Sequence, residues 1–451
     1  MELDAVKRVY FVGIGGIGMS AIARYFLNRG CNVYGYDKTK TNLTTSLEEE
    51  GMVISYIDEL SVLPNEISAD DEGLLVVYTP AIPADAVILN YFKINGFSLK
   101  KRSEVLGIIS KGQFCIAVAG THGKTTTSSI IAHILTDTGF GCTAFLGGIA
   151  SNYDSNFLLG NNDVVVVEAD EYDRSFLTLH PDIAVITSMD ADHLDIYGDE
   201  NSLHESFQLF AGQLKEGGEL IVKDGLPIKK GTTYSVGLNS DIKAKNIRVE
   251  DGKFLFDYTD EVNEILNLEL LLPGRHNIEN AIAAIAIAFK LGIAASSIKR
   301  AVANFIGVKR RFEYIVRTDH QVYIDDYAHH PEELRACLNA VRELYPSKKL
   351  TVIFQPHLYT RTRDFASGFA EVLGTADELL LLEIYPAREK PIEGIDSKYL
   401  LDKIELEDKS VCVKEDVLEI IKNKRPELLL TVGAGDIDTL VQPLKILLSH
   451  A

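Results

Sequence analysis

A short apolar run at residues 114–119 passes directly into Gly120-Thr121-His122-Gly123-Lys124-Thr125-Thr126-Thr127, and no other feature limits the fold so tightly. A continuous apolar strand is buried on both faces, as in parallel sheets covered by helices. The glycine turn must then feed a helix, which the pattern predicts over residues 124–136. Backbone N–H groups of such a turn, with the helix N-terminus, make an anion site in which Lys124 can reach β and γ phosphates and Thr125 can ligate Mg²⁺. The turn is therefore read as a nucleoside-triphosphate loop. It departs from the general pattern at one place, where Val118 stands five positions before Gly123 instead of glycine.

The same strand, turn and helix alternation extends along the chain. Strands are predicted at residues 9–14, 31–36 and 73–78, with a helix at 19–28; then at 114–119, 163–167 and 183–188, followed by a β-rich acidic stretch at 240–270 and an alanine-rich helix at 277–291. A third set comprises strands at 321–324, 350–354, 378–384 and 428–432 with a helix at 331–344. A chain of 451 residues exceeds what one core usually serves. The expectation is an α/β protein of three domains: Rossmann-like at 1–108, a central mostly parallel ATPase-type sheet at 109–312, and a second Rossmann-like domain at 313–451. The polar stretch 100–104 is the expected hinge out of the first.

Composition removes several function classes. Apolar residues at 46% and charged residues at 24% exclude wholesale disorder. The balance of 45 basic against 65 acidic side chains gives a net charge of −20, a field that repels a phosphodiester backbone, so no nucleic-acid partner is expected. The N-terminal residues read as neither a secretory signal nor a membrane span, so a cytoplasmic protein is expected. Cys31, Cys115, Cys142, Cys337 and Cys412 have no pair at metal-ligand spacing and read as buried thiols in a reducing compartment.

Further clusters lie at predicted strand ends, where α/β sheets bind ligands. Gly13-Ile14-Gly15-Gly16-Ile17-Gly18-Met19-Ser20 follows the first strand, and Asp37 lies 24 positions after Gly13. Such a turn lets backbone approach a diphosphate while the acid holds a ribose hydroxyl, without distinguishing NAD from a nucleotide-sugar. Glu168-Ala169-Asp170-Glu171 ends one central strand and Asp190-Ala191-Asp192-His193 ends another, so Thr125, Glu168 and His193 could form a Mg²⁺ site. Asn277 and Asn280 lie at the start of the alanine-rich helix, and their amides suit an adenine edge, with a cap equally good for Asn277. Arg310-Arg311-Phe312, Asp325-Asp326-Tyr327-Ala328-His329-His330-Pro331, and Gln355 through His357 to Arg361 and Arg363 suggest a polar cleft. An NAD-dependent dehydrogenase would account for the first turn and Asp37 but leaves the triphosphate loop unused. A nucleotide switch would need Lys124 and Mg²⁺ but no acceptor site.

Taken in order along the chain, these segments resemble the Mur ligases, ATP-dependent enzymes that build the peptide stem of bacterial peptidoglycan. The opening glycine run, the Asp325–Pro331 segment and Phe354-Gln355-Pro356-His357 point to the branch that adds the first amino acid. The resemblance implies that ATP phosphorylates the lactyl carboxylate of UDP-N-acetylmuramate and that L-alanine displaces phosphate, with Lys124, Glu168, His193 and Arg311 catalytic. It implies that Gly120, Thr121, His122, Gly123, Lys124, Thr125 and Thr126 hold the ATP phosphates, Asn280 the adenine and Asp326 the ribose. Gly13, Gly15, Gly16, Ile17, Gly18, Met19, Ser20, Asp37 and His122 would face the UDP-sugar. His329, His357 and Arg361 would surround alanine, and Thr125, Glu168 and His193 would hold Mg²⁺. Residues 201–209 contain no lysine, so no carbamylated metal ligand is expected, and Leu358 stands where some relatives have arginine. Tyr172 is shared with the recycling ligase that attaches a tripeptide to the same UDP-sugar, which is the alternative reading. A monomer or weak homodimer that closes its domains around the acyl phosphate is expected.

Overall fold

The computed structural model describes residues 3–83, 85–190, 197, 199–237, 239–250, 253–318, 320–387 and 389–449. Among the described residues the strands form three sheets. The chain divides into two compact units, one comprising Met1–Lys245, Asp257–Leu268 and Glu279–Phe305, the other Asn246–Phe256, Glu269–Ile278 and Ile306–Ala451.

In the first unit a five-stranded parallel sheet has the order Val53–Ser55, Asn32–Tyr36, Arg8–Val12, Leu74–Tyr78, Leu99–Lys101. Its central strand is fully apolar beyond Arg8, so both faces must be covered, and helix Ile17–Asn28 packs with one face of it. The order reverses direction at Arg8–Val12, which puts the following glycine turn at the crevice where such sheets take ligands.

A ten-stranded sheet follows in the order Glu264–Leu270, Lys253–Thr259, Ile242–Glu250, Thr232–Ser235, Glu219–Lys223, Ile183–Ile186, Phe114–Ala119, Val164–Glu168, Thr143–Ala150, Ser155–Leu158. Phe114–Ala119 runs parallel to both neighbours, with Val118 opposite Glu168 and Ala119 opposite Ile186. The loop after Ala119 therefore emerges between the segments that begin at Ala169 and Thr187. Cys115 through Ala119 are all wholly buried, which is the two-sided burial that their unbroken apolarity predicts.

The second unit contains a six-stranded sheet ordered Glu313–Arg317, Val322–Asp326, Leu428–Val432, Leu350–Phe354, Glu378–Leu381, Lys409–Val411. Only its first pair is antiparallel. Alternate residues of these strands feed separate apolar clusters on the two faces, Ile324, Val352 and Leu430 in one and Tyr323, Ile353 and Leu429 in the other.

The fold is thus α/β with mostly parallel sheets, as the alternation predicts. Strands Phe114–Ala119, Leu350–Phe354 and Leu428–Val432 and helix Pro331–Leu344 have the expected bounds. The stretch 100–104 differs. It is the end of strand Leu99–Lys101 running straight into helix Arg102–Lys111, whose start is capped by the Glu104 carboxylate accepting from the Lys101 N–H at 2.6 Å. Charge at a half-buried sheet edge imitates a linker in sequence. All five cysteines are free thiols, four of them buried and Cys412 half-buried.

Candidate active site

The phosphate loop is lashed to the end of the neighbouring strand. Thr187 Oγ1 donates to the carbonyls of Ala119, at 3.1 Å, and His122. Ser188 Oγ accepts the His122 N–H at 2.7 Å and pairs with Thr121 Oγ1 at 3.0 Å. Thr121 Oγ1 also accepts the Asp190 N–H at 3.1 Å. Such close approach needs glycine at position 120, where φ is +139° and an added Cβ would lie 2.1 Å from Thr187 Oγ1. Helix Lys124–Asp137 then begins with Gly123 as its left-handed N-cap, and Thr125 and Thr126 are buried in its first turn. His122 Nε2 lies 3.6 Å from Asp190 Oδ2.

Lys124 turns back over the loop. Its Nζ donates to the Gly120 carbonyl at 2.6 Å and lies 2.9 and 2.8 Å from the two carboxylate oxygens of Glu171. Burial lowers the lysine pKa, but the carboxylates of Glu171, Glu168 and Asp170 outweigh it and the net shift is upward. The residue is a fixed cation paired with a buried carboxylate.

The acids after Val164–Glu168 divide their work. Glu168 Oε2 accepts the Gly147 N–H at 3.0 Å, leaving its other oxygen for further ligation. Asp170 Oδ2 takes Arg102 Nη2 at 2.8 Å, and its Oδ1 accepts the Tyr172 N–H at 3.1 Å. Asn280 Oδ1 accepts from Thr127 Oγ1 at 3.0 Å, which holds the amide beside the first turn of the phosphate-loop helix. Asn277 Nδ2 instead donates to the Pro273 carbonyl at 2.6 Å.

At the first-sheet turn, Asp37 Oδ2 accepts the Gly15 N–H at 2.8 Å and its Oδ1 the Thr39 N–H at 3.2 Å. Gly13 and Gly15 form the turn, Gly16 is the N-cap, and Ile17 and Gly18 open the helix. Ile17 and Gly18 line a cavity of about 90 Å³ together with Arg102, Phe145, Glu168 and Asp170. Met19 and Ser20 are buried, and Ser20 Oγ bonds the Ile17 carbonyl at 2.9 Å, so both side chains serve the packing of the turn.

The second unit assembles its own polar group. Asp326 is buried between the N–H groups of Phe312 and Ala328, each at 2.7 Å. Burial raises its pKa, opposed by the Arg311 charge. Arg310 and Arg311 flank the Tyr327 ring, their guanidinium carbons 5.2 and 5.0 Å from its centroid. His329 lies 3.3 Å from Glu333 and faces His357 at 5.9 Å between ring centroids. His357 stacks on Tyr385 at 5.8 Å, and its Nδ1 meets Arg361 Nη1 at 3.4 Å. His329, His357 and Arg361 therefore do converge. Gln355 is engaged structurally, donating to Asp436 at 2.7 Å and accepting the Ile437 N–H at 2.8 Å.

Among the described residues no group of three or more His, Cys, Asp and Glu side chains is arranged to hold a metal ion, and His193 lies outside the described residues. The chemistry of Thr125 and Glu168, a hydroxyl and a carboxylate at the same sheet edge, does fit a hard cation bridged to phosphate. No helix of the described residues is long and apolar enough to cross a membrane. Sequence patterns missed Gly147 and Arg102, which carry no motif and enter the site only through contacts distant in sequence. The partnership of Lys124 with Glu171 was equally invisible, although both residues lie in recognised segments.

Family models match three stretches: "Mur ligase family, catalytic domain" at residues 8–114, "Mur ligase middle domain" at 118–288, and "Mur ligase, glutamate ligase domain" at 310–435. A UDP-N-acetylmuramate–L-alanine ligase of Christiangramia forsetii is 50% identical over 449 residues, covering 100% of this chain and 99% of its own. One of Flavobacterium psychrophilum is 51% identical, with 99% of each chain covered. The crystal structure of the UDP-N-acetylmuramate–alanine ligase of Thermotoga maritima superposes with a TM-score of 0.83 at 28% identity, over 98% of this chain and 100% of that one.

Proposed function

The chain belongs to the Mur ligase family, and we propose that it joins L-alanine to the lactyl carboxylate of UDP-N-acetylmuramate, converting ATP to ADP and phosphate. The observation that carries the reading is the likeness, over the full length and at 50% identity, to ligases of that name. The phosphate-loop geometry supports it, because an enzyme that activates a carboxylate needs a placed cation and acids at one sheet edge.

A carboxylate is a poor acyl donor. Its oxygen attacks the γ-phosphorus of ATP, ADP leaves, and the resulting acyl phosphate is attacked at carbon by the alanine amine, which expels phosphate and loses a proton. Lys124, held now by Glu171, neutralises the transferring phosphoryl group, and the backbone of Gly120 to Thr126 cradles the phosphates. Asn280 would read adenine and Asp326 would take the ribose. Thr125, Glu168 and His193 would hold Mg²⁺, which when bound neutralises phosphate charge. Gly13 to Ser20, Asp37 and His122 would receive the UDP-sugar, while His329, His357 and Arg361 would receive alanine, with Arg361 fitted to its carboxylate and Arg311 to phosphate. The working division is 1–108 for the nucleotide-sugar, 109–312 for ATP and 313–451 for the amino acid, in a cytoplasmic monomer or weak homodimer.

The test is phosphate release from ATP and Mg²⁺ with UDP-N-acetylmuramate, comparing no amine, L-alanine, and L-alanyl-γ-D-glutamyl-diaminopimelate. Stimulation by L-alanine is expected. Stimulation by the tripeptide alone would assign the chain to the recycling branch instead.

A further inference from the structure

Asn156 belongs to the central sheet but spends its whole side chain on the first one's helix. It lies on strand Ser155–Leu158 and is fully buried. Its Nδ2 donates to the Ile17 carbonyl at 2.5 Å and to Ser20 Oγ at 3.0 Å, while its Oδ1 accepts from Arg24 Nη1. Arg24, itself buried, closes the other side by gripping Glu50, with Nε 2.9 Å from Oε2 and Nη2 2.6 Å from Oε1. Every polar atom of the amide except one lone pair is thus engaged, and the network fixes which end of the amide faces which partner.

The connection reaches the reaction centre through rigid elements. Strand Ser155–Leu158 pairs with Thr143–Ala150, which pairs with Val164–Glu168, the strand that ends at the candidate metal carboxylate. At the other end, Ile17 opens the helix whose first turn follows Gly15 and Gly16, and it lines the cavity shared with Arg102, Glu168 and Asp170.

We propose that Asn156 is a positioning residue, which acts through the Ile17 carbonyl and Ser20 to hold the nucleotide-sugar turn at a fixed distance from the phosphate loop. This rests on the reading that the Gly13–Ser20 turn receives UDP-N-acetylmuramate. The lactyl carboxylate is carried by the ligand of one turn and must meet a γ-phosphate carried by the other. A displacement of about 1 Å between such sites costs on the order of 10²-fold in rate. An amide suits the task because it donates to a carbonyl and a hydroxyl while accepting from a guanidinium, which neither aspartate nor a hydrophobic residue can do.

The experiment compares the full chain with Asn156→Asp and Asn156→Ala. Asn156→Asp keeps the partner of Arg24 and places a carboxylate against the Ile17 carbonyl; Asn156→Ala empties the position. Kd for UDP-N-acetylmuramate, Kd for a non-hydrolysable ATP analogue, kcat and Tm are measured for each. The expected result is a Kd for the UDP-sugar raised about tenfold or more and a kcat lowered by about 10²-fold, with the ATP-analogue Kd within about twofold of the parent even though a buried carboxylate against a carbonyl lowers Tm. Equal weakening of both ligands in step with a fall in Tm, or an unchanged UDP-sugar Kd and kcat, would overturn the proposal. A parent chain that binds no UDP-N-acetylmuramate would instead remove the functional reading, and this inference with it.

Discussion

The ammonium of Lys124 sits 2.9 and 2.8 Å from the two carboxylate oxygens of Glu171, whose side chain is only 1% exposed. The pair keeps the phosphate-loop lysine charged and pointed along the loop before any nucleotide arrives. On the proposed reading, a phosphate group entering the loop would compete with Glu171 for the same donor.

Removing that lysine has two separable effects. Lys124→Ala should abolish turnover and also lower Tm, because it strands a buried carboxylate, an effect worth about 3 kcal/mol for a buried pair broken on one side. Lys124→Ala combined with Glu171→Gln should recover most of the lost Tm but none of the activity. Thermal melts and phosphate release on the two variants decide it. A double variant no more stable than the single would show that the buried pair is not what Lys124 contributes to folding.

Gly147 tests the role of Glu168 without replacing its side chain. An added Cβ at 147 would lie 2.2–2.4 Å from the Glu168 carboxyl atoms, so Gly147→Ala must displace them and lose the 3.0 Å backbone bond. Disturbing the group that orients a metal ligand typically costs 10- to 100-fold in metal affinity. The Mg²⁺ concentration giving half-maximal ATP turnover should rise by about that factor while the far-ultraviolet circular dichroism stays unchanged. An unaltered Mg²⁺ dependence would remove Glu168 from the metal site.

The strands and the glycine turn at 120–123 were readable because unbroken apolar runs and a Gly-Lys-Thr turn report local physics. Phe114–Ala119 and Pro331–Leu344 needed nothing from elsewhere in the chain. Contacts across long separations left no such trace. Asn156 meets Ile17 and Arg102 meets Asp170 only once the sheets have formed, and nothing in either local pattern distinguishes these residues from ordinary surface polar groups. The same limit applies to Lys100 through Glu104, where charge suggested a hinge and a capped helix start is present.

Asp325 should make stability fall across mildly acidic pH. It is wholly buried, and burial raises its pKa from 3.8 to about 6, opposed by Arg310 and Thr431. Between about pH 4 and 6 the unfolded chain has lost this proton and the folded chain retains it, so folding binds a proton and its contribution weakens as pH rises. The unfolding free energy of the parent minus that of Asp325→Asn should therefore decrease from pH 4 to 7. A difference that is flat with pH would mean that Arg310 Nε at 3.1 Å and Thr431 Oγ1 at 2.6 Å already offset the cost of burial.

Leu358 stores backbone strain inside the proposed amino-acid site. Its φ of 71° and ψ of 136° are foreign to a leucine, and it serves as N-cap of helix Tyr359–Asp364. The conformation is held from both sides: its N–H donates to the Tyr385 carbonyl at 3.0 Å, and its own carbonyl accepts from Thr362 N at 3.1 Å and Oγ1 at 2.8 Å. The turn sets His357, stacked on Tyr385, against Arg361 one helical turn later. Alanine removes the side chain and keeps the strain, whereas glycine removes both. Leu358→Gly should therefore be more stable than Leu358→Ala by roughly 1–2 kcal/mol. It should also have the higher KM for L-alanine, because a turn free to relax no longer fixes His357 and Arg361 together. Denaturant melts and L-alanine titrations on the pair separate the two effects, and equal stability of the two variants would show that position 358 carries no strain.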